Sequence, residues 1–151
     1  DGITFHESIW YLVNPDTGTH QIAVTVNTGT PAFAGGALSV FGADQISPTD
    51  GTDTDAGDTG AVVSSSVTPT RAGGIAFHCF VSADNVAGTF GAGQNSITNS
   101  FDTDGGGQSH KTYSSLSAVT MSYNPDTSCY QCMALFKPAR RVGGAIILMN
   151  L

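Results

Sequence analysis

Glu occurs once in this chain, at Glu7, and Lys twice, at Lys111 and Lys137. Surface helices draw on both residues for propensity and for charge pairing, so a chain nearly without them has little to build exposed helices from. Gly (19 of 151 residues) and abundant Thr and Ser stand in their place, and charged residues make up only 11%, against roughly 25% in an average globular protein. Short runs rich in β-branched and aromatic residues recur between Gly, Asp, Asn and Pro turns, which reads as an all-β chain. At 151 residues one domain is expected, long enough to bury roughly 70% of its unfolded surface.

The runs predict strands in order. Ser8–Val13 is apolar on both faces and reads as a central strand, and Asn14-Pro15-Asp16-Thr17-Gly18 as a turn. His20–Asn27 alternates, with Ile22, Val24 and Val26 on one side, and reads as the second arm of a hairpin. Ala37–Phe41 reads as a further buried strand, and Pro48–Gly60 as a long acidic loop. Ala61–Val67, Ile75–Val81, Ser96–Phe101, Gln108–Ser114, Ala118–Tyr123 and Cys129–Phe136 follow as strands. Asp84–Gly93 reads as a Gly-rich connection and Asp102–Gly107 as a flexible tip. The prediction is an antiparallel β-sandwich, jelly-roll-like, with roughly eight to ten short strands over residues 1–139.

The remaining residues, 140–151, hold an apolar run of strand length. Ala145, Ile146, Ile147, Leu148, Met149 and Leu151 cannot stay unpaired in water; they complete this sheet, enter a neighbour's, or aggregate. They are the predicted assembly residues.

The net charge of −7 excludes a basic nucleic-acid surface, and no run reaches the roughly 20 apolar residues of a membrane-spanning helix. Asp50, Asp53, Asp55 and Asp58 offer alternating carboxylates of the kind calcium uses, without the closing Glu of an EF-hand. Calcium is the one cofactor the residues suggest. Cys129 and Cys132 resemble a C-x-x-C pair, but their odd separation within a strand puts them on opposite faces. Packing as small apolar groups is therefore expected, with a bridge from Cys79 to either left open. His6, His20, His78 and His110 fall on four separate elements, and His78 reads as a satisfied core histidine. No Gly-x-Ser-x-Gly elbow or carboxylate pair marks an enzyme. Tyr113 and Tyr130 are candidate glycan-stacking residues if they face outward.

Several segments together resemble a largely uncharacterised β-sandwich module of exported bacterial proteins and tailed-phage structural proteins. They are Ser8–Pro15 with Gly18-Thr19-His20, Gly35–Gln45, Gly91–Gln94, Ala118–Ser122 and Met133–Ala139. The resemblance spans Ser8 to Ala139, implies the sandwich fold, and carries no catalytic residues. It also implies about two strands before Ser8, which this chain, starting at Asp1 as a processed product or fragment, lacks. A groove left by them would accept the C-terminal run from its own or a neighbouring subunit.

The expected function is a non-enzymatic structural subunit of an extracellular, cell-surface or virion assembly, such as a phage decoration or tail-associated protein or a surface filament subunit. Its partners would be copies of itself or other structural subunits. The alternative is a carbohydrate-binding or adhesin module. Removing Gly143–Leu151 is expected to reduce the oligomeric state, read by size-exclusion chromatography with light scattering; an unchanged state would count against strand donation.

Overall fold

The computed structural model describes residues 6–25, 35–57, 61–83, 88–101, 105–125 and 127–140. The predicted assembly residues, Ala145 to Leu151, and Asp58 lie outside them. Eight strands are found among the described residues: β1 (Thr49–Gly57), β2 (Val63–Val67), β3 (Gly74–Ser82), β4 (Thr89–Phe90), β5 (Asn95–Phe101), β6 (Gly105–Tyr113), β7 (Val119–Asn124) and β8 (Cys129–Phe136). They form a five-stranded sheet, β1-β8-β3-β6-β5, and a three-stranded sheet, β2-β7-β4. Every pairing is antiparallel. The expected antiparallel β-sandwich is the fold observed. The nested pairs β1:β8, β2:β7 and β3:β6 follow the winding of a jelly roll, with β5 added beside β6 instead of β4.

Inward positions repeat every second residue on each strand. One lobe of the core holds Ala76, Tyr113, Val119, Met121, Met133 and Leu135, with Val67 against it. The other holds Val63, Phe80, Tyr123 and Cys129, with Phe90 against it. There Phe80 stacks on Tyr123 with centroids 3.7 Å apart, and Phe90 meets both rings edge-on. Gly107 has no side chain because a Cβ would stand 2.8 Å from the Phe80 ring. The Gly105–Gly107 run, expected in a flexible tip, is the buried start of β6.

Between the lobes lies a polar layer: Ser65 on β2, His78 on β3, Ser109 on β6 and Gln131 on β8 are all buried. Their hydrogen bonds run in one direction. Gln94 Nε2 donates to Ser109 Oγ at 2.9 Å, and the Ser109 hydroxyl donates to His78 Nδ1 at 3.1 Å. His78 Nε2 donates to Gln131 Oε1 at 3.0 Å. Gln131 Nε2 then donates to Ser65 Oγ and to the Met121 carbonyl. This order requires the neutral imidazole with its proton on Nε2. His78 is thus the satisfied core histidine that the sequence suggests. The Gly91–Gln94 motif has its role here as well. Gln94 N–H turns back to the Gly91 carbonyl with Gly93 at φ +76°, which aims the Gln94 side chain at Ser109 and brings its Oε1 to the Ser122 N–H.

Three expected strands are absent from the described residues. Ser8–Val13, the described part of the His20–Asn27 run (residues 20–25), and Ala37–Phe41 run without a sheet partner there. Their apolar side chains lie largely open: Trp10 is 89% and Phe41 95% exposed, with Leu12, Ile22 and Val24 exposed too. Alternation marks side chains that favour burial, but a strand also needs a partner ladder, and the edge position beside β8 is taken. The segment predicted as an acidic loop holds it, as β1.

Burial pushes His78 down from 6.5 to about 4. Between those pH values the unfolded chain takes up a proton that the native state refuses, so this group's contribution to stability falls as pH drops. The difference corresponds to about 3 kcal/mol. The gap in unfolding free energy between wild type and His78→Gln is expected to narrow by that amount from pH 7 to pH 4, read by urea denaturation. A gap independent of pH would contradict it.

Candidate functional site: an Asp row and a Glu–Cys cluster on the five-stranded sheet

Asp50, Asp53 and Asp55 lie in β1, not in a loop. Their work is visible in their partners. β2 pairs with β7 on one side, so alternate N–H groups on its other side have no ladder. The Asp55 carboxylate accepts from Ser64 N–H at 2.8 Å and that of Asp53 from Ser66 N–H at 2.7 Å. The two-residue step of β1 matches that of β2, and side chains of one sheet close the edge of the other. Asp50, displaced by the irregularity at Gly51, accepts from the Thr70 N–H and hydroxyl and from Arg71 N–H. Lys137 Nζ stands 3.9 Å away. Burial works to raise the Asp50 pKa, but these donors and the Lys137 ammonium outweigh it and hold the carboxyl below its ordinary value.

Carboxylates committed to separate backbone donors along a strand do not converge as the six to eight oxygens of a calcium site must. The metal set expected from Asp50, Asp53 and Asp55 is therefore corrected to an edge-closing row. Next to it, Asp44 accepts from the Ser47 and Ile46 N–H groups and pairs with Arg71 at 2.8 Å. Those bonds, the backbone ones foremost, hold its pKa at about 2. Arg71 also donates to the Pro138 carbonyl, which ties residues 42–48 to the end of β8.

Tyr113 is corrected too. It is only 8% exposed, packed in the core with its hydroxyl donating to the Phe136 carbonyl, so its ring offers no face to a sugar. Tyr130 is 49% exposed on the outer side of β8. Among the described residues no metal-ligating cluster includes His6, His20, His78 or His110. His78 and Ser109 are hydrogen-bonded but fully buried, out of reach of a substrate.

A second cluster stands on the outer face of the same sheet. Cys129 points into the core and Cys132 away from it, as their odd spacing predicts. Burial raises the Cys129 thiol to about 12, which suits an inert packing role. Cys132 pairs in register with Cys79 on β3, and their sulfurs are 2.9 Å apart. Glu7 closes over them: its carboxylate oxygen and the two sulfurs lie within 4.8 Å of one another. Burial first, and then Cys132, raises Glu7 to about 8, so its carboxyl is largely protonated at neutral pH. The Cys132 thiol is pushed up by its bond to Cys79 and by burial. A cleft of about 190 Å³ beside the cluster is lined by Glu7, Ile9, Tyr11, Thr54, Cys132 and Phe136 among others, and Tyr11 meets Phe136 edge-on at 5.8 Å. Residues 7–11 thus lie along the sheet's outer face.

The odd spacing put Cys129 and Cys132 on opposite faces and left a Cys79 partner open between them; the choice of Cys132 depends on the β3–β8 register. Sequence reasoning did not place Glu7, because no local pattern links the segment before Ser8 to the middle of β8.

Comparison with protein-family models, with curated proteins and with solved structures yields no match to this chain. Asp53→Ala with Asp55→Ala strips two acceptors from the β2 edge and is expected to cost about 2 kcal/mol. It should leave calcium response unchanged; urea denaturation with and without calcium checks both.

Proposed function

We propose that the protein is a non-enzymatic structural subunit of an extracellular or virion assembly, joined to further copies of itself through the segment from Trp10 to Ile46. The observation that carries this reading is the exposure there of large apolar side chains: Trp10, Leu12, Ile22, Val24, Phe41 and Ile46, the last 97% exposed. Soluble monomers seldom leave such a series in water, and apolar patches of this kind mark protein contacts.

A second copy is the occupant that the fold favours. The segment's described residues carry strand-type sequence without a ladder, and among the described residues β5 pairs only with β6 and β4 only with β7. An extended piece of one copy therefore fits an open edge of the next, adding backbone hydrogen bonds and burying alternate side chains. Such a contact is head-to-tail and grows into a filament unless the rotation closes a ring. Low charge and a net charge of −7 suit a body whose outer surface is hydroxyl-rich. Among the described residues no helix is long and apolar enough to cross a membrane. The carbohydrate-binding alternative retains Tyr130 but loses Tyr113.

Trp10 is the chain's one tryptophan, so its fluorescence reports on this segment alone. Light-scattering mass is expected to rise with protein concentration while the Trp10 emission shifts to the blue. Trp10→Ser with Phe41→Ser should stay monomeric with stability within about 0.5 kcal/mol of wild type, both sites being exposed. A single-chain mass with water-exposed emission at every concentration would overturn the reading.

A further inference from the structure

We propose that Glu7, Cys79 and Cys132 form a binding site for a thiophilic divalent cation of the zinc class, clipping the N-terminal segment onto the outer face of the five-stranded sheet.

The donor set comes first. Two sulfurs and one carboxylate oxygen converge within 4.8 Å, and they come from three distant parts of the chain. Zinc takes thiolate sulfur at about 2.3 Å and carboxylate oxygen at about 2.0–2.2 Å, which sets tetrahedral ligands roughly 3.5–3.8 Å apart. The sulfurs, 2.9 Å apart as hydrogen-bonded thiols, reach that spacing by opening roughly 0.9 Å through side-chain rotation. Soft sulfur selects zinc-like ions over calcium, which demands an all-oxygen shell.

The second observation is independent of that convergence. Glu7 Oε1 is buried and has no hydrogen-bond partner, whereas the other buried polar side chains among the described residues are almost all satisfied. A buried carboxyl oxygen without a donor, next to two thiols, is a ready ligand atom, and Arg71 and Lys137 are engaged elsewhere, with Asp44 and Asp50. The neighbouring cleft, lined by His6 and Asp55 together with Glu7 and Cys132, gives an ion a way in and leaves room for a fourth donor or a water.

Binding is an exchange of protons for metal. One divalent ion displaces the protons of the two thiols and of the carboxyl, three in all, and the thiolates and carboxylate then coordinate it; no electron moves. Because binding releases protons from its ligands, affinity rises with pH. Two ligands stand on adjacent strands, whose register holds them in place. The third, Glu7, sits in a segment without a ladder, so the ion's main structural effect falls on residues 6–11.

The test uses the full-length chain, reduced and freed of metal with a chelator. Cobalt(II) is added and followed by absorption; zinc is then titrated in competition with a chromogenic chelator. One ion per chain is expected, with cobalt–thiolate charge-transfer absorption that zinc abolishes. Cys79→Ser and Cys132→Ser should lose that absorption and weaken zinc binding by at least about tenfold. Glu7→Gln lies outside the strands and leaves the sheet intact, so a weaker affinity there reports on ligation and not on folding. Cys129→Ala, on the opposite face of β8, should bind normally. The proposal is overturned by cobalt binding without a thiolate band, by equal zinc affinity in wild type and Cys132→Ser, or by no metal uptake with all three thiols titratable. A disulfide between Cys79 and Cys132 whose reduction restores no zinc binding would overturn it as well.

Discussion

The hydrogen-bonded layer centred on His78 is the constraint around which the sandwich is arranged. It runs from Gln94 through Ser109, His78 and Gln131 to Ser65 and the Met121 carbonyl, crossing from one sheet to the other. Each member is both held and needed, because a buried polar group left without its partner costs about 1–3 kcal/mol. The apolar lobes on either side tolerate exchange among similar side chains. The polar layer does not, since sliding β3 by two residues would set His78 among Phe90, Tyr123 and Val63 or beside Met133 and Leu135. The layer therefore specifies register where apolar packing alone would leave neighbouring registers close in energy.

The same economy of polar groups appears at the margins. The free edge of β2 is closed by carboxylates from β1 instead of by another strand, so on that side the smaller sheet ends without an exposed row of donors. Asp44, Arg71 and Asp50 extend that closure to the end of β8. On the outer face of the larger sheet the arrangement differs. There the N-terminal segment covers the Cys79–Cys132 pair only in part, and it carries its own apolar side chains into solvent. One region of the molecule is thus fully satisfied within a single copy, and another is not. Self-association and cation binding, as proposed, both concern the second.

How much of this could be read in advance follows from which forces are local. Val119, Met121 and Tyr123 alternate with polar neighbours in a way that only a half-buried strand explains, and Cys129 and Cys132 fall on opposite faces by the geometry of any strand. His78, between Phe77 and Cys79 in an apolar run, could be placed in the core for the same reason. Asp50, Asp53 and Asp55 went the other way. Asp is a poor strand residue, so a segment of this composition reads as a loop, and its strand is stabilised by N–H donors from residues 64–71. Trp10 to Val13 and Ile22 to Val24 erred in the opposite sense: strand-like composition without a partner in the described chain.

The amino-acid sequence by itself determined an all-β, turn-rich sandwich, the face on which most strand residues sit, and the want of helix-forming charge. Those properties depend on side-chain chemistry and on a period of two residues, both written along the chain. Tertiary structure alone decided that β8 lies between β1 and β3, that the Asp row meets the edge of β2, and that Glu7 meets two cysteines on separate strands. Such encounters depend on register and on long-range pairing, and these are settled by the free energy of the whole assembled core, not by any stretch of sequence.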